Sequence, residues 1–288
     1  MVKSPNSYSD IEKIAEEYLK KSKAINIFPT PVDKIVNYAD LKIDNTGILV
    51  NPNENFLEKY GGLINKNIRS ALDKIMGLID IREEIIYLDP TMLEVKRNFV
   101  KLHEVGHNAL PWQRKMLAYV DDNKTLSPDV KKEIEIEASY FASAVFFQLD
   151  VFEREIKKYP LKLNSGMYLA KKFGSSIHAA LRRYVEKNPK RCALLVLENN
   201  DSLTREPKIR NYFQSTSFTK EFGELTWDND MLSKQPFTNF YRFNIRQEKD
   251  KLVTYHNNGA SISFEFDYFN NTYNGFVLVR PAGEKIRT

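Results

Sequence analysis

The residues of this chain best spaced to do chemistry are His103-Glu104-Val105-Gly106-His107. On a helix, positions i and i+4 share one face about a turn apart. Two imidazole nitrogens placed so can reach one tetrahedral zinc ion, and the carboxylate between them stands beside the water that such an ion activates. The chain has only four histidines, so this motif uses half of them.

A five-residue motif arises by chance, so the elements around it decide its weight. Asp89-Pro90-Thr91 reads as a turn, and Thr91 followed by Glu94 reads as a capping box that opens a helix. No proline interrupts Met92 to Leu110, and Pro111 supplies a stop. Val95, Phe99, Leu102 and Gly106 recur at helical spacing, which gives the helix one burying side. A glycine inside a helix costs roughly 1 kcal/mol against alanine. Gly106 therefore points to close approach by another backbone or by substrate.

Catalytic zinc usually takes three protein ligands. A histidine six residues beyond the second motif histidine is one source, but that position is Gln113, and Leu110 stands where the accompanying glycine would be. A glutamate on a later helix is the other source. Residues 128–149 form such a helix, with Ser127 as its cap and Pro128 at its first position. Its buried stripe is Ile134, Ala138, Phe141, Ala142 and Val145. Of Glu133, Glu135 and Glu137, Glu135 lies on the edge of that stripe, and the other two are expected to face solvent. Glu135 is the expected third ligand.

With both elements in view, the chain resembles the ImmA/IrrE family of metallopeptidases. That family pairs a His-Glu-x-x-His helix with a Glu-x-x-Ala-Asn/Asp-x-Phe-Ala helix, which stands here as Glu135-Ile136-Glu137-Ala138-Ser139-Tyr140-Phe141-Ala142. The likeness extends to Pro29-Thr30-Pro31-Val32-Asp33, to the strand Glu84-Ile85-Ile86-Tyr87-Leu88-Asp89, and to Leu169-Ala170-Lys171-Lys172-Phe173-Gly174-Ser175-Ser176, so that it spans about residues 10–187. It implies Zn2+ on His103, His107 and Glu135, with Glu104 as general base. Ser139 replaces the usual Asn or Asp, which implies a shorter partner for a zinc-bound imidazole. The usual Leu-Leu-Met-Pro ending reads Val145-Phe146-Phe147-Gln148, so the helix is expected to run past its normal stop.

A chain of 288 residues, 42% of them hydrophobic, can bury a sizeable core, and two domains are the natural expectation. It lacks an apolar run of the roughly 18 residues that span a bilayer, and Met1-Val2-Lys3-Ser4-Pro5 does not open a signal peptide. Cys192 is the sole cysteine and reads as a small core residue of a buried strand. A cytoplasmic protein without a membrane partner is the expectation. The net charge of +5, from 43 basic and 38 acidic residues, is too mild to argue for nucleic acid by itself.

Further elements follow from periodicity. Residues 8–22 and 31–39 read as helices, Leu41–Val50 as a strand, and 51–65 as a loop in which Phe56, Tyr60 and Ile64 mark a helical turn. Ile75–Asp80 and Ile85–Leu88 read as strands, and an edge strand beside such a helix can pair with an extended peptide. Beyond residue 188, strands are expected at Cys192–Leu197, Lys208–Ser215, Phe240–Arg246, Lys251–His256, Ser261–Tyr268 and Tyr273–Arg280, with turns at Asn257-Asn258-Gly259 and Asn270-Asn271. The fold class is therefore α+β. A domain of helices plus a small sheet occupies residues 1–188, which the resemblance implies is a zincin-like peptidase, and a β-rich domain occupies 189–288, for which the resemblance implies a sensory or recognition role.

The leading function is a zinc endopeptidase. The resemblance implies a helix-turn-helix repressor as its protein substrate, cut to derepress stress or mobile-element genes. Tyr140 and His178 are candidates for the donor that steadies the oxyanion. A helix-turn-helix DNA-binding regulator is the alternative from another class, since Ala170 to Gly174 and Arg182-Arg183 have the right spacing. Its recognition helix would begin Ser-Ser-Ile-His-Ala-Ala, which is poor in base-reading side chains. A zinc hydrolase of another substrate, and a zinc-binding pseudo-peptidase weakened at Ser139, complete the set.

Overall fold

The computed structural model describes residues 8–60, 76–120, 127–198, 208–227, 232, 234–243, 245–257 and 260–285. Met1–Pro5, Gly61-Gly62, Ile64, Ile75 and the Asn258-Gly259 pair lie outside the described residues. Contacts divide the chain into two compact units. The first is Met1–Phe152 with Lys172–Ser175, and the second is Glu153–Lys171 with Ser176–Thr288.

In the first unit, α1 (Tyr8–Lys21) turns Ile11, Ala15 and Leu19 inward. It is followed by α2 (Val32–Tyr38), β1 (Lys42–Asp44), α3 (Glu54–Tyr60), β2 (Gly77–Asp80) and β3 (Ile85–Leu88). The three strands form a sheet in the order β1-β3-β2, with β1 parallel and β2 antiparallel to β3. β1 is shorter than the Leu41–Val50 reading. Asp44 turns the chain by accepting from the Thr46 amide at 2.8 Å, and Gly47 takes a left-handed φ of 85°. Residues 54–60 form a full helix, because Phe56 and Tyr60 bury against Leu49 and Tyr87.

The motif helix α4 (Glu94–Ala109) packs on β2 and β3 and against α6 (Pro128–Phe146). The capping box at Thr91 is not formed. Thr91 bonds instead to Asp89, and the helix starts at Glu94 with Leu93 at its cap position. After an extended Leu110, Pro111 opens α5 (Pro111–Val120) rather than a loop. Ser127 caps α6 as expected, accepting from the Val130 amide. At Gly106, α4 and α6 approach closely. A Cβ there would stand 3.1 Å from the carbonyl oxygen of Ala138 and 3.2 Å from Phe141. The close neighbour is a backbone.

α6 does not run on. It ends at Phe146, and Gln148 and Leu149 take left-handed φ values of 53° and 54°. The fully buried Gln148 side chain accepts from the Asn26 amide and donates to Ile27 and Thr30, which fixes the break. Each fully buried Val, Leu, Ile or Phe along α6 contributes about 1.5–3 kcal/mol, so Ile134, Phe141 and Val145 anchor the helix firmly.

After α7 (Asp150–Ile156), the second unit holds α8 (Leu163–Phe173) up to Lys171, α9 (Ile177–Glu186) and an antiparallel sheet. The sheet runs β5 (Lys208–Gln214), β4 (Ala193–Glu198), β8 (Asn274–Pro281), β7 (Ala260–Asn270), β6 (Gln247–Asn257). Two helices, α10 (Thr216–Phe222) and α11 (Pro236–Arg242), put Phe218, Phe237 and Tyr241 into one core with Leu195, Phe264, Phe266 and Val277. α9 packs on β4 and β5. Helices on both faces explain why β4 is buried from Ala193 to Leu197, Cys192 included. The strand expected at Phe240–Arg246 is corrected: Pro236 at the first helical position starts a helix that reaches Arg242. The chain is α+β, a helical first part followed by a sheet-rich C-terminal part.

Candidate metal centre

α4 and α6 bring together the three side chains picked out as ligands. His103 Nε2 lies 3.1 Å from Glu135 Oε2, the two Nε2 atoms lie 3.2 Å apart, and His107 Nε2 is 3.9 Å from Glu135 Oε1. One ligand atom from each of the three falls within 4.8 Å of the others. With metal–ligand bonds of about 2.0–2.1 Å, the corners of a tetrahedron stand about 3.3–3.4 Å apart. The measured separations bracket that edge, so the donor set fits a tetrahedral cation such as zinc. His107 is buried, while Glu135 is half exposed, which leaves the cluster open on the carboxylate side.

The electrostatics follow from this crowding. Burial disfavours charge on His103, but hydrogen bonding to Glu135 and the nearby Glu104 outweigh it, and its pKa is raised. Burial and then the charge of His103 push His107 down to about 4. The bond from His103 holds Glu135 below the usual carboxylate range. The side chains alone thus favour one positive charge among them, the arrangement that a bound cation replaces.

Glu104 is buried beside the ligands, and burial raises its pKa to about 7. It lies against the edge strand β2, where the backbone of Ile79 hydrogen-bonds to its carboxylate. Gly77 makes room for it: a Cβ there would be 2.8 Å from Glu104 Oε1 and 2.5 Å from Val100 Cγ1. Gly77 was read only as part of a strand, and nothing in its local pattern marks it as a neighbour of Glu104.

Each imidazole also has a partner on its far side. Ser139 Oγ lies 3.2 Å from His103 Nδ1, where the resemblance put it. For His107 the partner is Gln113, whose Oε1 lies 2.9 Å from Nδ1. Gln113 Nε2 donates to the Ile134 carbonyl at 3.1 Å and to Glu137 Oε2 at 2.6 Å, and Trp112 Nε1 donates to the same carboxylate oxygen at 2.7 Å. This corrects the expectation that Glu137 faces solvent; it is 6% exposed. The break at Leu110 returns the chain through Trp112 and Gln113 across the second face of α6. Helical periodicity of α6 alone cannot show that its second face is covered. Glu133 is exposed, as expected.

The two oxyanion candidates are engaged elsewhere. The Tyr140 hydroxyl donates to Glu12 at 2.6 Å and its ring packs at a tilt against Tyr8. His178, in the second unit, lies beside Phe213 and Phe276. No helix among the described residues is long and apolar enough to cross a membrane.

Residues 67–184 match the sequence model of Peptidase_M78, described as the IrrE N-terminal-like domain. No curated protein matches the chain. Among solved structures, a Mycobacterium tuberculosis transcriptional regulator is similar, with a TM-score of 0.52 and 12% identity, covering 95% of this chain and 76% of that one. At that identity the likeness is one of fold.

Proposed function

From the match of residues 67–184 to the IrrE N-terminal-like domain of Peptidase_M78, we propose that the protein is a zinc-dependent endopeptidase. The observation that carries the reading is the convergence of His103 Nε2, His107 Nε2 and the Glu135 carboxylate, with Glu104 buried alongside. His103, His107 and Glu135 would hold the metal. Bound zinc supplies Lewis acidity, which polarises a carbonyl and makes a water acidic near neutral pH.

The chain's own residues do the rest. A Glu104 carboxylate oxygen accepts the proton of the attacking water and later passes it to the leaving amine. Its burial keeps its proton affinity near the working pH, as a general base requires. Gly77 and the Ile79 amide hold the carboxylate against β2, while Ser139 and Gln113 orient the two imidazoles. Among the described residues no strand pairs with the outer edge of β2, which offers it to an extended peptide beyond Ile79.

The ImmA/IrrE resemblance supports a helix-turn-helix repressor as the protein cut, in the cytoplasm, with derepression of stress or mobile-element genes as the result. It also supports a functional boundary near residue 188, with a sensory or recognition domain beyond it. For the DNA-binding alternative, α9 would have to present its first turns to a groove. Its His178 lies against the rings of Phe213 and Phe276, and Ala180 and Leu181 are buried. That packing favours the peptidase.

The test compares zinc-loaded wild type with Glu104→Gln, mixed with extract and analysed for new protein N-termini by mass spectrometry. New termini with wild type only are expected. Equal termini in both samples, or none in either despite bound zinc, would remove the peptidase and leave a metal-binding scaffold.

A further inference from the structure

The far side of His107 is more tightly specified than that of His103. Gln113 is fully buried, and its amide can sit only one way round. Its Nε2 faces two acceptors, the Ile134 carbonyl at 3.1 Å and Glu137 Oε2 at 2.6 Å. A flipped amide would set oxygen against oxygen at both contacts. Oε1 must therefore face His107, and because that oxygen only accepts, His107 Nδ1 must carry the proton across their 2.9 Å separation. Nε2 is then left with a bare lone pair, and it is Nε2 that points at His103 and Glu135. Trp112 and Gln113 both donate to Glu137 Oε2, which keeps this buried carboxylate in place behind the amide. Ser139 imposes no such choice on His103, since a hydroxyl both donates and accepts.

We propose that Gln113 and Glu137 are positioning residues for the metal site. Gln113 locks His107 in the tautomer that offers Nε2 to the metal, and Glu137 fixes the amide and lends its negative charge to the imidazole through it. The proposal rests on the zinc reading above. It differs from a direct histidine–carboxylate pair in placing a neutral amide between ring and charge.

The test has a readout that needs no metal. In zinc-free protein, imidazole 15N NMR reports which nitrogen of His107 is protonated, and chelator competition on the same samples gives zinc affinity. Gln113→Met keeps nearly the same volume without an amide. It should let the Nε2–H tautomer appear and weaken zinc by about 10–100-fold. Glu137→Gln, close to isosteric, should weaken zinc by less than Gln113→Met does.

Wild-type tautomer and affinity in Gln113→Met would overturn the proposal. So would weakened zinc binding in Gln113→Met with the Nδ1–H tautomer unchanged while circular dichroism shows it folded, since that outcome marks a packing role. A wild type that is Nδ1–H but binds no zinc would instead sink the metal reading, and with it the pair's role toward a metal. The two failures are thus told apart.

Discussion

In the second unit, Arg280 is wholly buried and places its guanidinium 3.1 and 3.2 Å from Glu265 and 3.3 Å from Asp267. The Leu163 amide adds a 3.1 Å bond to Asp267. Donors meet acceptors, and opposite charges sit across adjacent strands, with Glu265 directly opposite Arg280 in the register. In the first unit, two imidazole nitrogens and a carboxylate oxygen crowd to 3.1–3.9 Å. There three potential ligand atoms converge and share at most the single proton that His103 holds toward Glu135. Both clusters join groups from different elements and both are partly or wholly buried. The first is complete as protein; the second is a donor set that a cation would complete. Burial of polar groups is therefore a poor guide to a site, and the balance of donors and acceptors is a better one.

The largest expected effect breaks the second cluster. His103→Ala or His107→Ala should take bound zinc from one per chain to none by elemental analysis, and Glu135→Ala should lower occupancy far more than Glu133→Ala. Unchanged zinc in either histidine variant would refute the ligand assignment. Glu104→Gln should keep zinc but lose about 10²–10⁴-fold in cleavage. Persistent turnover by a metal-replete variant would end the general-base role.

Breaking the completed cluster should read out differently. Arg280→Met takes the guanidinium from the buried Asp267, which keeps Lys162 4.0 Å away, and loss of one partner of a buried pair costs up to about 3–5 kcal/mol. Urea unfolding should show that loss, while folded protein keeps wild-type zinc. A variant as stable as wild type would mean the pair is replaceable by packing, as some buried ion pairs are.

Gly77→Ala tests the seam between sheet and motif helix. The new methyl has to displace Glu104 or Val100, and a displaced base about 1 Å away can cost on the order of 10²-fold in rate. Zinc affinity should hold while kcat falls. An unchanged kcat would show that the carboxylate finds its place without the glycine.

How much of this could be read in the sequence depended on whether the signal was local. The spacing of His103 and His107, the Ser127 cap and the Ile134–Val145 stripe are local, and α4 and α6 formed where they pointed. The strands at 193–198 and 274–281 were similarly legible, because alternation and burial run along one segment. What failed was decided by a partner distant in the chain. Glu137 is buried because α5 folds back over α6, and the end of α6 is set by Gln148 reaching to residues 26–30. Phe240 and its neighbours alternate well enough for a strand, yet Pro236 and the packing of Phe237 and Tyr241 on the sheet make them helical. Gly77 shows the same limit, since its importance lies in a contact with α4.

The smallest effect concerns a third cluster, which sharpens the comparison because it is closed like that of Arg280 but sits at the end of β2. Asp80 accepts from Tyr60 Oη at 2.5 Å and from the amides of Arg82 and Glu83 at 2.9 Å each, and Lys59 is 3.0 Å away. Burial alone would raise its pKa. The Tyr60 bond, the Glu83 amide and Lys59 outweigh burial and bring it down from 3.8 to about 2. A carboxylate whose folded pKa lies below its unfolded one stabilises the fold above the unfolded value and loses that contribution as pH falls through the folded one. The difference corresponds to about 2 kcal/mol at neutral pH. Asp80→Asn should therefore unfold more easily than wild type by up to that amount at pH 7. The gap should hold down to roughly pH 5 and shrink by about half near pH 3. A gap independent of pH across that range would mean that Asp80 acts through its shape and hydrogen bonds, with its charge contributing nothing.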